Sequence, residues 1–166
     1  MSVIIINPNS TVSMTEAMLA QARRAAPSQS FEGWTSHDGP PAIQGEKDGE
    51  TAAEPLLKLV EKASKSGADG IIIGCFDDTA LDEAAAISDC PVIGIGQASF
   101  HYAALRKKRF SVVTTMSVSV PIIEDNIRGL GLTKFVSRVR ASEVPVLDLE
   151  SDPKKASEII KLEALR

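Results

Sequence analysis

Short apolar runs alternate along the chain with longer stretches in which apolar residues return every three or four positions. Val3 to Ile6 is β-rich and stops at Asn7-Pro8-Asn9-Ser10; from Ser13 to Ala26, Met14, Ala17, Met18, Ala22 and Ala25 recur at helical spacing. That pattern predicts strand, turn and helix. A second strand is predicted at Phe31 to Thr35, followed by a Gly/Pro-rich loop from Gly39-Pro40-Pro41 to Gly45 whose composition favours turns. Thr51 to Ser66 sets Leu56, Leu57, Leu59, Val60 and Ala63 against Lys58, Glu61, Lys62 and Lys65, and Gly67 follows where a left-handed C-cap is wanted. Ile71-Ile72-Ile73 has no polar alternation, as expected of a strand at the centre of a parallel sheet. After Gly74-Cys75-Phe76-Asp77-Asp78-Thr79 comes an alanine-rich acidic helix, Ala80 to Ile87, and then a short strand, Pro91 to Ile95. Gln97 to Lys107 reads as helix, Phe110 to Thr114 as strand, Val118 to Gly129 as helix, Phe135 to Val139 as strand and Pro153 to Arg166 as helix.

Strands separated by helical stretches predict an α/β fold, doubly wound around a mostly parallel sheet, with the ligand crevice beyond the carboxyl ends of the strands. The pattern also repeats. Val3 to Ile6 leads into a polar turn and a helix, Ser111 to Val113 leads into Thr114-Thr115 and a helix, and helix Thr51 to Ser66 corresponds to helix Pro153 to Arg166. Two pseudo-symmetric halves are expected: residues 1–100, a first α/β half carrying Cys75, and residues 101–166, a partial second half. On this reading the second half is incomplete, lacking a counterpart of the strand that delivers Cys75.

The composition narrows the partners. With 18 basic against 22 acidic side chains, a net charge of −4 and no dense basic tract beyond Arg106 to Arg109, neither nucleic acid nor an anionic membrane surface is indicated. A small, roughly neutral ligand fits better. No run of about 18 apolar residues would span a membrane, and Met1-Ser2 followed by four apolar residues does not make a signal segment. A cytoplasmic location is expected, where Cys75 and Cys90 stay free thiols; they match neither a disulfide framework nor a zinc spacing. His37 and His101 are far apart, so no metal is expected. Gly94-Ile95-Gly96 lacks the third glycine and downstream acid of a dinucleotide fingerprint, and no phosphate loop is present.

Candidate chemistry gathers at strand ends. Cys75 follows the isoleucine strand, where amides of the next helix would favour its thiolate, although Asp77 and Asp78 oppose it and a buried inert cysteine is the competing reading. Cys90, before Pro91, sits at the other end of its strand, away from the crevice. Asn7 offers an amide that donates to a carboxylate or imide oxygen and accepts from an N–H, while Ser10, Thr11 and Ser13 compete as N-caps. Asp78 or Thr79 is expected to cap the helix after Cys75, and Asp77 stands between capping and ligand binding. Thr114 and Thr115 occupy the corresponding exit in the second half, with β-propensity and a turn as their plainer explanation.

Taken in order, Ile5-Ile6-Asn7-Pro8-Asn9-Ser10, Gly39-Pro40 with Ile43, Gly74-Cys75-Phe76-Asp77-Asp78, Pro91-Val92-Ile93-Gly94-Ile95-Gly96 with Gln97-Ala98, and Val112-Val113-Thr114-Thr115 resemble the hydantoin racemase branch of the aspartate/glutamate racemase superfamily. The resemblance implies an isomerase without cofactors that racemises a carbon next to a carbonyl in a hydantoin-like or amino-acid-derived substrate. It implies two cysteines on opposite faces of the substrate, one removing the proton and one returning it. Cys75 matches the first, and Asn7, Ile43, Phe76, Asp77, Thr114 and Thr115 would line the substrate pocket. Gln97 stands where family members often carry Glu. The second cysteine of the pattern belongs to a later Gly-Cys segment that this sequence does not reach, so an inactive racemase is one expectation. A one-cysteine isomerase and a non-catalytic ligand-binding or assembly protein are the alternatives. An uncovered sheet edge would favour a homo-oligomer.

Overall fold

β1 (Val3–Asn7) is the strand on which the first sheet is assembled. It pairs in parallel with β2 (Phe31–Thr35) on one side and with β3 (Gly70–Ile73) on the other, and β4 (Val92–Gly94) pairs in parallel beyond β3. The order is β2-β1-β3-β4. The computed structural model describes residues 2–106 and 109–166; Met1 lies outside them, as do Lys108 and Lys107, the expected end of the helix after β4.

The register shows why β1 has no polar alternation. Ile5 is level with Gly33, and a side chain at Gly33 would press on Thr15 and Leu19 of α1 (Val12–Ala25). Ile4 and Ile6 point the other way, into a core with Leu56, Val60 and Ala63 of α2 (Glu46–Lys65), Ile71 and Ile73 of β3, and Leu81 and Ala84 of α3 (Leu81–Ile87). Helices therefore cover both faces, and successive isoleucines are all buried, as a doubly wound parallel sheet requires.

α4 (Ile95–Arg106) carries the chain to a second, two-stranded parallel sheet of β5 (Phe110–Thr114) and β6 (Val136–Ala141), joined through a 3₁₀ turn at Ser117–Ser119 and α5 (Val120–Gly129). Phe100, Val112, Ile123, Ile127 and Leu132 form its core. The expected division after residue 100 thus falls inside α4. A short helix α6 (Asp148–Ser151) and α7 (Pro153–Ala164) follow; the Asp152 carboxylate accepts from the Lys155 amide, and Arg140 of β6 pairs with Glu163 of α7. The order β1-α1-β2-α2 is followed later in the chain by β5, α5, β6, α6 and α7.

The boundaries of α2, β6 and α4 differ from the periodicity, each for a physical reason. α2 begins at Glu46 rather than Thr51, because Gly45 takes a left-handed turn (φ 85°), the Asp48 carboxylate accepts from the Gln44 amide, and Glu46 and Asp48 suit the positive end of the helix dipole. Apolar spacing could not see that polar first turn. β6 starts after Phe135, which closes a 3₁₀ turn, and runs on to Ala141 because Arg140 and Ala141 pair with Val113 and Thr114. α4 begins two residues early, at Ile95, and its cap is not local.

That cap is Asp78, from the loop after β3. Its Oδ1 accepts from the Gly96 amide at 3.0 Å and its Oδ2 from the Gln97 amide at 2.6 Å, satisfying two donors that open a helix. The carboxylate occupies the space above Gly94 and Gly96: a Cβ on Gly94 would fall 1.9 Å from Oδ1, and one on Gly96 would fall 2.7 Å from Oδ2 and 2.4 Å from the Phe76 carbonyl oxygen. The glycine pair serves a side chain, not a nucleotide. Thr79 and Asp78 therefore do not cap α3, whose N-cap, Ala80, has no side-chain partner.

Two stability outcomes follow from this packing. Leu56 is fully buried, so Leu56→Ala should cost about 3 kcal/mol in urea unfolding. Gly94→Ala should also destabilise, by more than about 2 kcal/mol, because the new methyl displaces the carboxylate; Asp78→Ala alone should cost about 1–2 kcal/mol as a lost cap. The double variant should be clearly less unstable than the sum of the two, and strict additivity would show that the two sites do not share this space.

Candidate functional site

Parallel strands deliver their carboxyl ends to one edge of the sheet, and the residues leaving β1, β2 and β3 meet there. At β1, Asn7 is completely buried on the α1 face. Its Nδ2 donates to Asn9 Oδ1 (2.9 Å), the Thr11 carbonyl (3.0 Å) and Thr15 Oγ1 (3.1 Å), and its Oδ1 accepts from the Asn9 amide (3.1 Å). The amide thus knots its own turn. That turn rests on the Gly39-Pro40 loop: the Ser10 amide donates to the Pro40 carbonyl, Thr11 Oγ1 to the Pro41 carbonyl, and a Cβ on Gly39 would lie 2.4 Å from the Pro8 oxygen. Asn-Pro-Asn and Gly-Pro, distant in sequence, are two halves of one contact.

At β3 the loop 75–78 sends four consecutive side chains to four places. Cys75 packs on the first core and Phe76 on the second, where its ring meets Phe100 edge-on with centroids 5.4 Å apart. Asp77 turns to the second half: Ser119 Oγ donates to its Oδ2 (2.8 Å), and Asn126 Nδ2 of α5 donates to its carbonyl (2.8 Å). Asp78 clasps α4. The backbone pays with left-handed residues at Asp78 (φ 50°) and Ala80 (φ 49°), a conformation few non-glycine residues hold without outside support.

The sulfur of Cys75 receives the Thr79 hydroxyl at 3.3 Å, and the amides of Asp77 and Thr79 also favour its thiolate. Burial outweighs them and, with the Asp77 charge adding to it, pushes the thiol up to about 11; the residue nevertheless keeps some exposed surface. α3 begins at Leu81, six positions on, so the support comes from the loop rather than from the expected helix end. Burial raises the Asp77 carboxyl, against the Ser119 hydrogen bond, and raises Asp78 to about 6 against the two amides it accepts from.

Beside this loop a cavity of about 460 Å³ opens between the start of α2, the loop before α3, and α5. Ile43, Asp77 and Thr79 line it, and Cys75 adjoins it through Thr79 without forming part of the wall. The charged residues lining it, among those described, are Glu46, Glu50, Asp77, Asp78, Glu83 and Asp125, all acidic. Of the expected residues, the structure thus brings Ile43 and Asp77 to the cavity and sets Cys75 behind Thr79. Asn7 points to the opposite face of the sheet, and the Phe76 ring is core. Thr114 is buried at the end of β5, where its carbonyl and that of Thr115 accept from Ser142. Cys90 stands before β4, at the other end of the sheet, hydrogen-bonded with Ser88. No group of three or more His, Cys, Asp and Glu side chains among the described residues is placed to hold a metal ion, and no helix among them is long and apolar enough to cross a membrane.

Sequence reasoning missed Ser119 and Asn126, 42 and 49 positions from Asp77, for which no local signal exists. It also missed Thr79 as the partner of the sulfur. The Asp78 clasp did leave a trace: a strand running directly into a helix through Gly94-Ile95-Gly96 has no capping residue of its own, so an acceptor had to come from elsewhere.

Comparison with known proteins identifies the family of the chain. The family described as Asp/Glu/Hydantoin racemase matches residues 3–166. A hydantoin racemase of Rhizobium meliloti is 37% identical over 161 residues, covering 96% of this chain and 67% of that protein. The solved allantoin racemase from Klebsiella pneumoniae superposes with a TM-score of 0.95 at 32% identity, over 99% of this chain and 68% of its own; that from Pseudomonas fluorescens gives 0.92 at 32%, over 99% and 70%. The chain spans about two thirds of the length of these relatives. By sequence and by fold it belongs to the Asp/Glu/hydantoin racemase family of isomerases.

Proposed function

We propose that this protein transfers a proton at the carbon next to a carbonyl in a neutral, hydantoin-like small molecule, with Cys75 as the base and no cofactor. The observation that carries this reading is the setting of one sulfur: at the exit of a central strand, beside a cavity, with the Thr79 hydroxyl donating to it and the Asp77 and Thr79 amides favouring its ionised form. Ile43 and Asp77 border the substrate, and Asn7 and the Phe76 backbone shape the loops that frame it, while Thr114 and Thr115 stay outside the cavity lining.

The thiolate takes the Cα proton to become a thiol, and the released electron pair moves onto the neighbouring carbonyl oxygen as an enolate; reversal returns the proton to the same face. Inversion needs an acid on the other face. Cys90 cannot supply it, being at the opposite end of the sheet from Cys75, so within these 166 residues the reading assigns exchange on one face. Both thiols are free, consistent with a reducing compartment such as the cytoplasm.

In D₂O, the protein should incorporate deuterium at C5 of 5-substituted hydantoins or of allantoin faster than buffer does, followed by proton NMR. Cys75→Ala should abolish the excess rate and Cys90→Ala should retain it. Because the base is the ionised form of a thiol raised to about 11, the excess rate should climb about tenfold per pH unit through the neutral and mildly alkaline range. Tight binding without any excess exchange would leave a binding protein in place of an isomerase.

A further inference from the structure

We infer that Thr79 is the positioning residue that makes Cys75 usable as a base, by donating its hydroxyl hydrogen to the sulfur when the thiol ionises. The inference rests on the reading of Cys75 given above, and it concerns a residue outside the matched Gly74-Cys75-Phe76-Asp77-Asp78 motif. Three observations combine. Thr79 Oγ1 lies 3.3 Å from Cys75 Sγ, within hydrogen-bonding range for sulfur, and Thr79 is buried, so water does not compete freely for that hydroxyl. Thr79 is also held in place from both sides: Asp78 and Ala80 take left-handed backbone conformations, and Asp78 is anchored by two amides of α4.

The third observation is electrostatic. A thiolate is stabilised by a nearby cation, a helix N-terminus or hydrogen-bond donors. The charged groups that line the cavity are Asp77 and Asp78 of the same loop, Glu46 and Glu50 of α2, Glu83 of α3 and Asp125 of α5, all acidic, and among them Asp77 opposes a negative sulfur. The amides that favour the thiolate are those of Asp77 and Thr79, in the loop ahead of α3. Donors remain, and among them the Thr79 hydroxyl is the side-chain contact. A hydroxyl in this position has a second use: it can rotate to accept from the neutral thiol and to donate to the anion, so one residue serves both protonation states.

The test is the pH dependence of Cys75 alkylation by iodoacetamide in a Cys90→Ser background, in which the thiolate displaces iodide and the modified peptide is quantified by mass spectrometry. No substrate or turnover is needed, so the result is independent of whether proton exchange is found. Thr79→Val, nearly the same shape without the hydroxyl, should move the alkylation midpoint up by about one pH unit, a loss of about tenfold in rate at fixed pH. Thr79→Ser should restore the unsubstituted midpoint. Thr79→Ala removes the hydroxyl without adding an apolar methyl and should shift like the valine variant, which keeps the test available if valine does not fold. An unmoved midpoint in both hydroxyl-free variants would overturn the inference, and so would a serine variant that shifts as far as valine, since that would mark a packing effect.

Discussion

One buried carboxylate organises the region where chemistry is expected. Asp78 bridges the exit of β3 and the start of α4, accepting from two amides that would otherwise face the interior without partners. The bond has a steric condition, because no side chain can stand at Gly94 or Gly96 while the carboxylate is there. It also has an electrostatic cost, visible in a carboxyl raised to about 6 by burial. Since a raised carboxyl binds its proton more tightly folded than unfolded, the associated stability is fully present below the ordinary carboxylate range and is lost as pH rises through about 6. The arrangement persists because the same carboxylate sets the shape of the loop that carries Cys75.

That loop is held from several directions at once. Cys75 belongs to the core of the four-stranded sheet, Phe76 to the core of the two-stranded sheet, and Asp77 to the turn and helix that follow β5. Further links reinforce the join: Gln44 Oε1 accepts from the Val146 amide at 2.8 Å, and Gly45 lies against Val118. Each half thus contributes to the position of one thiol. The left-handed conformations at Asp78 and Ala80 follow from these constraints, because four diverging side chains leave the backbone little choice.

The surroundings favour a thiol that is protonated at rest. Burial and the Asp77 charge resist charge on the sulfur, while the Thr79 hydroxyl and the amides of Asp77 and Thr79 favour it. With Cys75 as the proposed base, such a balance suits a group that both takes and returns a proton, since a strongly stabilised thiolate would be a weaker base. The acidic lining also disfavours a carboxylate ligand near Asp77.

The alternation of strands and helices, the burial of most of the isoleucines in their runs and the place of Cys75 at a strand exit were legible in the chain itself. Each is governed by local periodicity: an apolar run of four residues bounded by turn formers has few ways to fold, and parallel strands put their ends on one side. The contact between Asn-Pro-Asn and Gly-Pro was present as two motifs but not as one structure. What the tertiary fold alone decided is the orientation and pairing of polar side chains. Asn7 faces α1 and spends its amide on its own turn, Asp78 caps a helix 18 residues away instead of the adjacent one, and Thr79 turns to sulfur. A side chain's hydrogen-bond partner is chosen by which backbone donors burial leaves unsatisfied, and that choice depends on atoms brought together from far along the chain, where local sequence carries no record of them.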